Sequence, residues 1–429
     1  MKPYSALDKE IELEATQSIC PVCLKVIDAK IISRNKAVYM TKTCPEHGTY
    51  TSYVWPDEEH YRWMNSFQFP TKKSPSGETE PKQPCPEGCG LCSRHLRHPT
   101  LVELEVTQDC NIKCPVCFAA ANEDNRHPEP GPDLKTLEEM YQQIKDRVGT
   151  YVSIQLTGGE PTTRPDLASI VELGRKAGFT GIEINTNGIV IGKDKAYLEK
   201  LHQAGISGIY MQFDGLSPST YRQIRGADLL PVKLQAIEHC RQVGVQVVLA
   251  MTIIHGLNHR EIGSVLDFAL ENNDVIAGLA LQPAFTSGRF GINEVQPLTM
   301  GDVVFLLAEQ SHGLIKPEDL WPLGCSHPLC SCATYLVESR EGFIPCTRLL
   351  SKEEYLDSFN PASPQGSVFA DILAARGFSP DSSGLSILIM NYMDALDLDL
   401  KRLRQCSMTV ATRDNRLIPF CARHLTSID

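Results

Sequence analysis

Val102-Glu-Leu-Glu-Val-Thr-Gln-Asp-Cys110-Asn-Ile-Lys-Cys114-Pro-Val-Cys117-Phe118 alternates apolar and acidic residues, then runs into three thiols. The first half has the two-residue period of a strand. The second half has the spacing Cys-x3-Cys-x2-Cys. Three thiolates on one tight loop can hold three irons of a four-iron cluster and leave the fourth without a protein ligand. An iron with an open position can bind and reduce a small molecule. The loop therefore points to catalysis more than to structural stapling.

Outward from this stretch, a strand–helix alternation repeats from residue 101 to about 310. Candidate strands are 101–107, 151–157, 180–185, 208–213, 245–253 and 278–282. Helical patterns at 136–147, 165–177, 195–204, 230–243, 259–271 and 299–310 follow them. Ile154-Gln-Leu, Ile182-Glu-Ile, Ile209-Tyr-Met and Val247-Val-Leu-Ala have the apolar content of buried parallel strands. Six such units predict an α/β fold, a partial (β/α)6 TIM-like barrel with its chemistry on the loops at the strand C-termini. From pattern alone, a doubly wound sheet is the alternative. The second strand ends in Leu156-Thr-Gly158-Gly159-Glu160-Pro161. Two glycines let a ligand approach the backbone, and a carboxylate beside exposed N–H groups can hold an ammonium.

The chain has 429 residues, 42% hydrophobic and 22% charged, with a formal net charge of -11. Its size allows more than one domain. The acidic balance, with no run of Lys and Arg, argues against nucleic acid as a partner. No apolar run reaches the ~20 residues needed to span a bilayer, which leaves at most peripheral membrane contact. Met1 to Glu14 lacks the apolar core of a signal peptide. Most of the sixteen cysteines sit in short groups at ligand spacing, so a reducing cytoplasm and bound metal are expected.

Four segments result. Residues 1–69 carry Cys20, Cys23, Cys44 and His47 around a strand at 37–43, the arrangement of a rubredoxin-like or zinc-ribbon module holding one Fe or Zn. Residues 70–100 hold a polar linker at 70–84 and a second Cys-x3-Cys-x2-Cys loop, Cys85, Cys89 and Cys92, with His95 as a candidate further ligand. Residues 101–315 form the barrel. Residues 316–429 carry Cys325, Cys330, Cys332, Cys346, Cys406 and Cys421, a polar stretch at 357–384 and a hairpin turn at Asp414-Asn415. Cys240, alone on a helix, reads as a buried apolar residue. The apolar stretch 384–393 reads as core or as the lining of a substrate channel.

Taken together, these residues resemble the radical S-adenosylmethionine superfamily over about 101–310. Its cysteine loop matches Cys110, Cys114 and Cys117, followed by the aromatic Phe118, and its Gly-Gly-Glu motif matches Gly158, Gly159 and Glu160. The resemblance implies a [4Fe-4S] cluster chelated by the amine and carboxylate of S-adenosylmethionine, with Gly158–Glu160 holding the amine. Asn187, and Gln212 or Asp214, are then contacts to ribose or the methionyl carboxylate. Thr252–Glu261 would border adenine. A narrower resemblance, to the tetraether lipid synthase and pterin C-methyltransferase group, rests on four segments. They are Cys20-Pro-Val-Cys23, Cys85–His95, Cys325-Ser-His-Pro-Leu-Cys330 and Ile418-Pro-Phe-Cys421, with Gln282-Pro and Ser287-Gly-Arg between. It implies one or two auxiliary [4Fe-4S] clusters, one of them on Cys325, Cys330, Cys406 and Cys421, with Cys332 and Cys346 additional to the pattern.

The function implied is reductive cleavage of S-adenosylmethionine to a 5′-deoxyadenosyl radical, which takes hydrogen from an sp3 carbon for carbon–carbon bond formation or C-methylation. A lipid tail or a pterin-like small molecule would be the substrate, and ferredoxin or flavodoxin the low-potential donor. A non-catalytic multi-cluster electron carrier explains the thiols but not Gly158–Glu160 or the six βα units. A zinc-rich nucleic-acid-binding protein is disfavoured by the charge.

Overall fold

A computed structural model describes residues 10–71, 85–86, 88–122, 131–292, 295–340, 342–358 and 384–427. Most of the expected linker at 70–84 and of the polar stretch at 357–384 lies outside the described residues.

Six parallel strands form the centre: Leu101–Thr107, Ser153–Gly158, Ile182–Thr186, Gly208–Gln212, Val247–Ile253 and Ile276–Pro283. Each pairs with the next in sequence. The order never reverses, as it would at the switch point of a doubly wound sheet. The sheet therefore winds one way, as a barrel wall does, and the doubly wound alternative is set aside.

Alternation along each strand sorts side chains between two environments. Val102, Leu104 and Val106 are fully buried against the helices outside. Leu101 and Glu103 face the interior cavity. Helix Leu134–Val148 shows the matching pattern, with Leu137, Met140, Tyr141, Ile144 and Val148 buried along one stripe. Asp133 caps its first turn by accepting from the Thr136 amide at 2.8 Å. Cys240 is 1% exposed within this outer core, in the apolar role expected for it.

The C-terminal segment does not stand apart from the barrel. Its strand Gly384–Met390 runs parallel to the sixth barrel strand, and Met408–Ala411 runs parallel to the first. Eight parallel strands thus lie in one sheet, which stays open because its ends do not pair with each other. Residue 315 is a boundary in the sequence and not in the sheet. Met408–Ala411 turns back at Asp414-Asn415 into Leu417–Pro419, the expected hairpin.

Residues 11–55 form a separate four-stranded antiparallel sheet, Ile11–Ile19, Val26–Arg34, Ala37–Cys44 and Gly48–Trp55. It is anchored twice. Trp55 is fully buried in the main core, and Tyr53 donates its hydroxyl to Asp302 at 3.0 Å on the helix after the sixth strand. Lys42 and Ser52 donate to the carbonyls of Ala395 and Leu396 in the C-terminal segment.

Candidate active site

The three thiols Cys110, Cys114 and Cys117 sit at the C-terminal end of the first barrel strand and line a cavity of about 260 Å³. Phe118, Gly158, Gly159, Glu160, Asn187 and Gln212 line the same cavity. Residues from four strand ends thereby meet around one loop.

The glycines act on that loop. A Cβ on Gly158 would lie 2.0 Å from the Thr107 carbonyl oxygen, and one on Gly159 2.2 Å from that of Asp109. Gly158 also has φ +127°. The Gly159 and Glu160 amides donate to those two carbonyls at 2.8 Å. The Gly-Gly pair is required because the chain entering the cysteine triplet passes directly over it. The sequence reading, which had the glycines admitting a ligand, missed this neighbour.

Glu160 is 2% exposed, and its carboxylate is occupied by protein donors. Oε1 accepts from Thr162 and Thr186, and Oε2 from the Asn187 amide at 2.7 Å. Burial pushes its pKa up, and these bonds pull it back. It ties the end of the second barrel strand to the end of the third. Asn187 in turn donates to Asn111 of the cysteine loop at 2.7 Å.

Asp214 is fully buried and is not on the cavity wall. It holds Arg225 in a bidentate pair, both bonds 2.8 Å, and takes a further bond from Gln212. The expected direct contact to a ligand is replaced by this role behind the wall. Arg225 lines the cavity and donates to the Val116 carbonyl at 3.0 Å. Arg289 donates to the Cys114 carbonyl at 2.6 Å, and Asn122 accepts from the Cys110 amide. The loop is thus pinned from both sides. Lys233, fully buried, donates to the carbonyls of Asn187 and Gln212 at 2.7 and 2.6 Å. Burial draws its pKa down to about 7.

Sequence reasoning found none of Arg225, Asn122 or Lys233. The segment Ser287-Gly-Arg289 was singled out, and its purpose is visible here. A Cβ on Gly288 would lie 2.2 Å from the Phe118 carbonyl oxygen, so this segment clasps the far side of the loop.

The donor chemistry fits an iron–sulfur cluster at the triplet. Burial pushes Cys110 up to about 12 and raises Cys114, whose shift the Arg225 charge offsets. Buried thiols of this kind become thiolates when a cationic centre binds them. Phe118 lies beside Phe285, Phe420 and His424, with ring centroids 5.0–6.2 Å away.

Two further thiol groups adjoin the barrel. Cys85 is hydrogen-bonded to Cys89, and Cys92 acts electrostatically on Cys89. Cys406 feels Cys330 and Cys325, and Cys421 feels Cys406 and Cys330. Cys330, Cys406 and Cys421, with Cys325 acting on Cys406, therefore share one electrostatic neighbourhood although they lie far apart in sequence. The two groups are near enough for Cys406 to act electrostatically on Cys89. His95 donates from Nε2 to the Cys406 carbonyl at 2.8 Å, a brace between them. Arg94 and Arg404 face Cys85, and Arg402 bonds Cys330. Cys332 is fully buried in the main core and Cys346 in a smaller apolar cluster, which gives each a packing role. In the N-terminal sheet, the ligand atoms of Cys20, Cys23, Cys44 and His47 lie within 4.8 Å of one another, close enough for a single ion.

Comparison with known proteins agrees with this arrangement. Residues 104–269 match the Radical SAM superfamily, and residues 12–56 match the HMPTM N-terminal zinc ribbon domain. The 7,8-dihydro-6-hydroxymethylpterin dimethyltransferase of Methanocaldococcus jannaschii is 33% identical, over 95% of this chain and 92% of that protein. A probable GTP 3′,8-cyclase of Methanothermobacter thermautotrophicus is 32% identical over 43% of this chain and 58% of its own length. Among solved structures, Streptococcus suis SuiB bound to S-adenosylmethionine overlaps 49% of this chain and 47% of its own, at 20% identity and a TM-score of 0.42. The near full-length match, with the cysteine triplet at the mouth of a parallel barrel behind a zinc ribbon, places this chain in the radical S-adenosylmethionine superfamily, in the family of the pterin dimethyltransferase, and makes it a radical S-adenosylmethionine enzyme.

Proposed function

We propose that this enzyme replaces a C–H bond of a pterin-like small molecule with C–CH3, the hydrogen going to the 5′-deoxyadenosyl radical and the methyl group coming from a second molecule of S-adenosylmethionine. The observation that carries the reading is the cavity itself, which joins the cysteine triplet to the polar inner face of the barrel. The 33% identical relative is a pterin dimethyltransferase, and its match runs over nearly the whole of both chains. Bound at Cys110, Cys114 and Cys117, a [4Fe-4S] cluster would supply the electron that splits S-adenosylmethionine and yields a carbon radical.

The chain's own residues position and enclose. Glu160 fixes the Asn187 backbone, Lys233 holds the carbonyls of Asn187 and Gln212, and Arg225 carries a positive charge to the cavity wall. Asn187 and Gln212 are then polar contacts for S-adenosylmethionine, and Phe118 with Phe285 and Phe420 adds aromatic surface to the cavity wall. Auxiliary clusters on Cys85, Cys89 and Cys92 and on Cys325, Cys330, Cys406 and Cys421 would relay electrons from a ferredoxin or flavodoxin. Cys20, Cys23, Cys44 and His47 would hold zinc, as the matched ribbon's name indicates. Among the described residues, no helix is long and apolar enough to cross a membrane.

The test is anaerobic reduction of iron-loaded protein with dithionite in the presence of S-adenosylmethionine and a dihydropterin. 5′-Deoxyadenosine and a methylated pterin are expected. Cys114→Ala should abolish both while the ribbon metal stays bound. Full iron loading with no 5′-deoxyadenosine would overturn the reading.

A further inference from the structure

Glu103 lies in the first barrel strand, between the outward-facing Val102 and Leu104. It lines the cavity and is only 2% exposed. Its Oε2 is sealed from solvent and has no hydrogen-bond partner among the described residues. The other acids around the barrel are engaged. Glu105 pairs with Arg423 at 2.6 Å, and Glu183 accepts from Gln155 at 2.9 Å. Glu160 and Asp214 are held as described above. The charge acting on Glu103 is the like charge of Glu105, and burial pushes its pKa up to about 8.

A carboxylate taken out of water with neither cation nor donor is costly. Such a group in a cavity wall calls for a partner from outside the chain. A second acceptor lies on the same wall. Asn185 Oδ1 is buried without a partner, because the amide turns its nitrogen to Gln155 Oε1 at 3.3 Å. Leu388, Met390 and Tyr392 add apolar surface. Two unpartnered acceptors in a largely apolar pocket select a flat ligand with adjacent N–H donors. A carboxylate pairs best with two parallel N–H groups carried on one carbon.

We infer that Glu103 is the binding residue that reads the substrate, its carboxylate accepting both N–H groups of a 2-amino-pyrimidinone edge. The inference rests on the pterin-like substrate proposed above and identifies which edge of it the barrel recognises.

The test measures equilibrium binding to the iron-loaded, anaerobic enzyme. The probes are 7,8-dihydro-6-hydroxymethylpterin, its analogue with oxygen in place of the 2-amino group, and the fragment isocytosine. The wild type should prefer the 2-amino form by on the order of 100-fold. Glu103→Gln keeps the shape but turns one acceptor into a donor. It should lose most of that preference, and isocytosine binding with it. Glu105→Gln, altered on the same strand but paired with Arg423, should keep both. A Glu103→Gln variant that still discriminates as the wild type does would overturn the inference, and so would a wild type that binds neither the pterin nor isocytosine. Isocytosine binding that depends on Glu103, with no binding of the pterin, would uphold the carboxylate's role and reject the pterin. Failure of the radical chemistry shows separately, as the absence of 5′-deoxyadenosine.

Discussion

Gly159 carries the approach nearest to the first cysteine of the loop. Its missing Cβ leaves room for the Asp109 carbonyl, which precedes Cys110 directly. Gly159→Ala must push the cysteine loop away, at a cost of about 1–3 kcal/mol for a backbone clash of this size. We expect this variant to fold, to keep the metal at Cys20, Cys23, Cys44 and His47, and to lose the iron held by the triplet. Metal content of the anaerobically purified protein checks this, and full iron retention would refute it. The motif itself was legible in the sequence, but its reason was not. Nothing in Gly158-Gly159-Glu160 says that its neighbour is the chain at Thr107–Asp109, about fifty residues earlier. The same limit hid Arg225, whose partner Asp214 was visible only as an acid at a strand end.

Among the elements, the six barrel strands and their six flanking helices were readable because their apolar spacing is long and regular. The short helices Ile189–Lys193 and Pro218–Arg225 were not, since one or two turns carry too little period to stand out. The N-terminal sheet is held by a contact that no period predicts. Lys42 is 2% exposed, and its ammonium donates to Ser18 and the Ala395 carbonyl. Burial lowers its pKa to about 8 from the ordinary 10.5. Between those values the unfolded chain holds more protons than the folded one, so stability rises with pH through that window, and the cost is full below about 8. The thermal midpoint of the zinc-loaded protein should therefore gain a favourable increment between pH 8 and 10, and Lys42→Met should lose that increment. An equal pH response in both proteins would refute the assignment.

At the scale of the whole molecule, the C-terminal segment extends the barrel wall at both edges. Gly384–Met390 covers the sixth strand, and Met408–Ala411 covers the first. Residues 101–315 alone would expose both edges, with Ile276–Pro283 and Leu101–Thr107 offering unpaired backbone groups. Truncation after residue 315 should give aggregated protein instead of a soluble barrel lacking only its auxiliary thiols. Soluble yield and size-exclusion profile check this, and a monomeric, folded truncation would refute it. The strand Met408–Ala411 begins just after Cys406, a thiol on which Cys330 and Cys325 act electrostatically.

The sequence by itself determined the spacing of the thiols and the class of fold. Thiol spacing within one loop is a local property, and so is the period of a strand or helix. Only the tertiary structure decided what surrounds those sites. It separated Cys332 and Cys346, which pack in apolar cores, from Cys330, Cys406 and Cys421, which act on one another electrostatically. It placed Asp214 behind the wall and Arg225 on it. It also left Glu103, one of two acids in an alternating strand, facing the cavity with an oxygen that has no partner among the described residues. Burial and partnership are properties of the folded neighbourhood, and the residues that make up that neighbourhood lie on strands far apart in the chain.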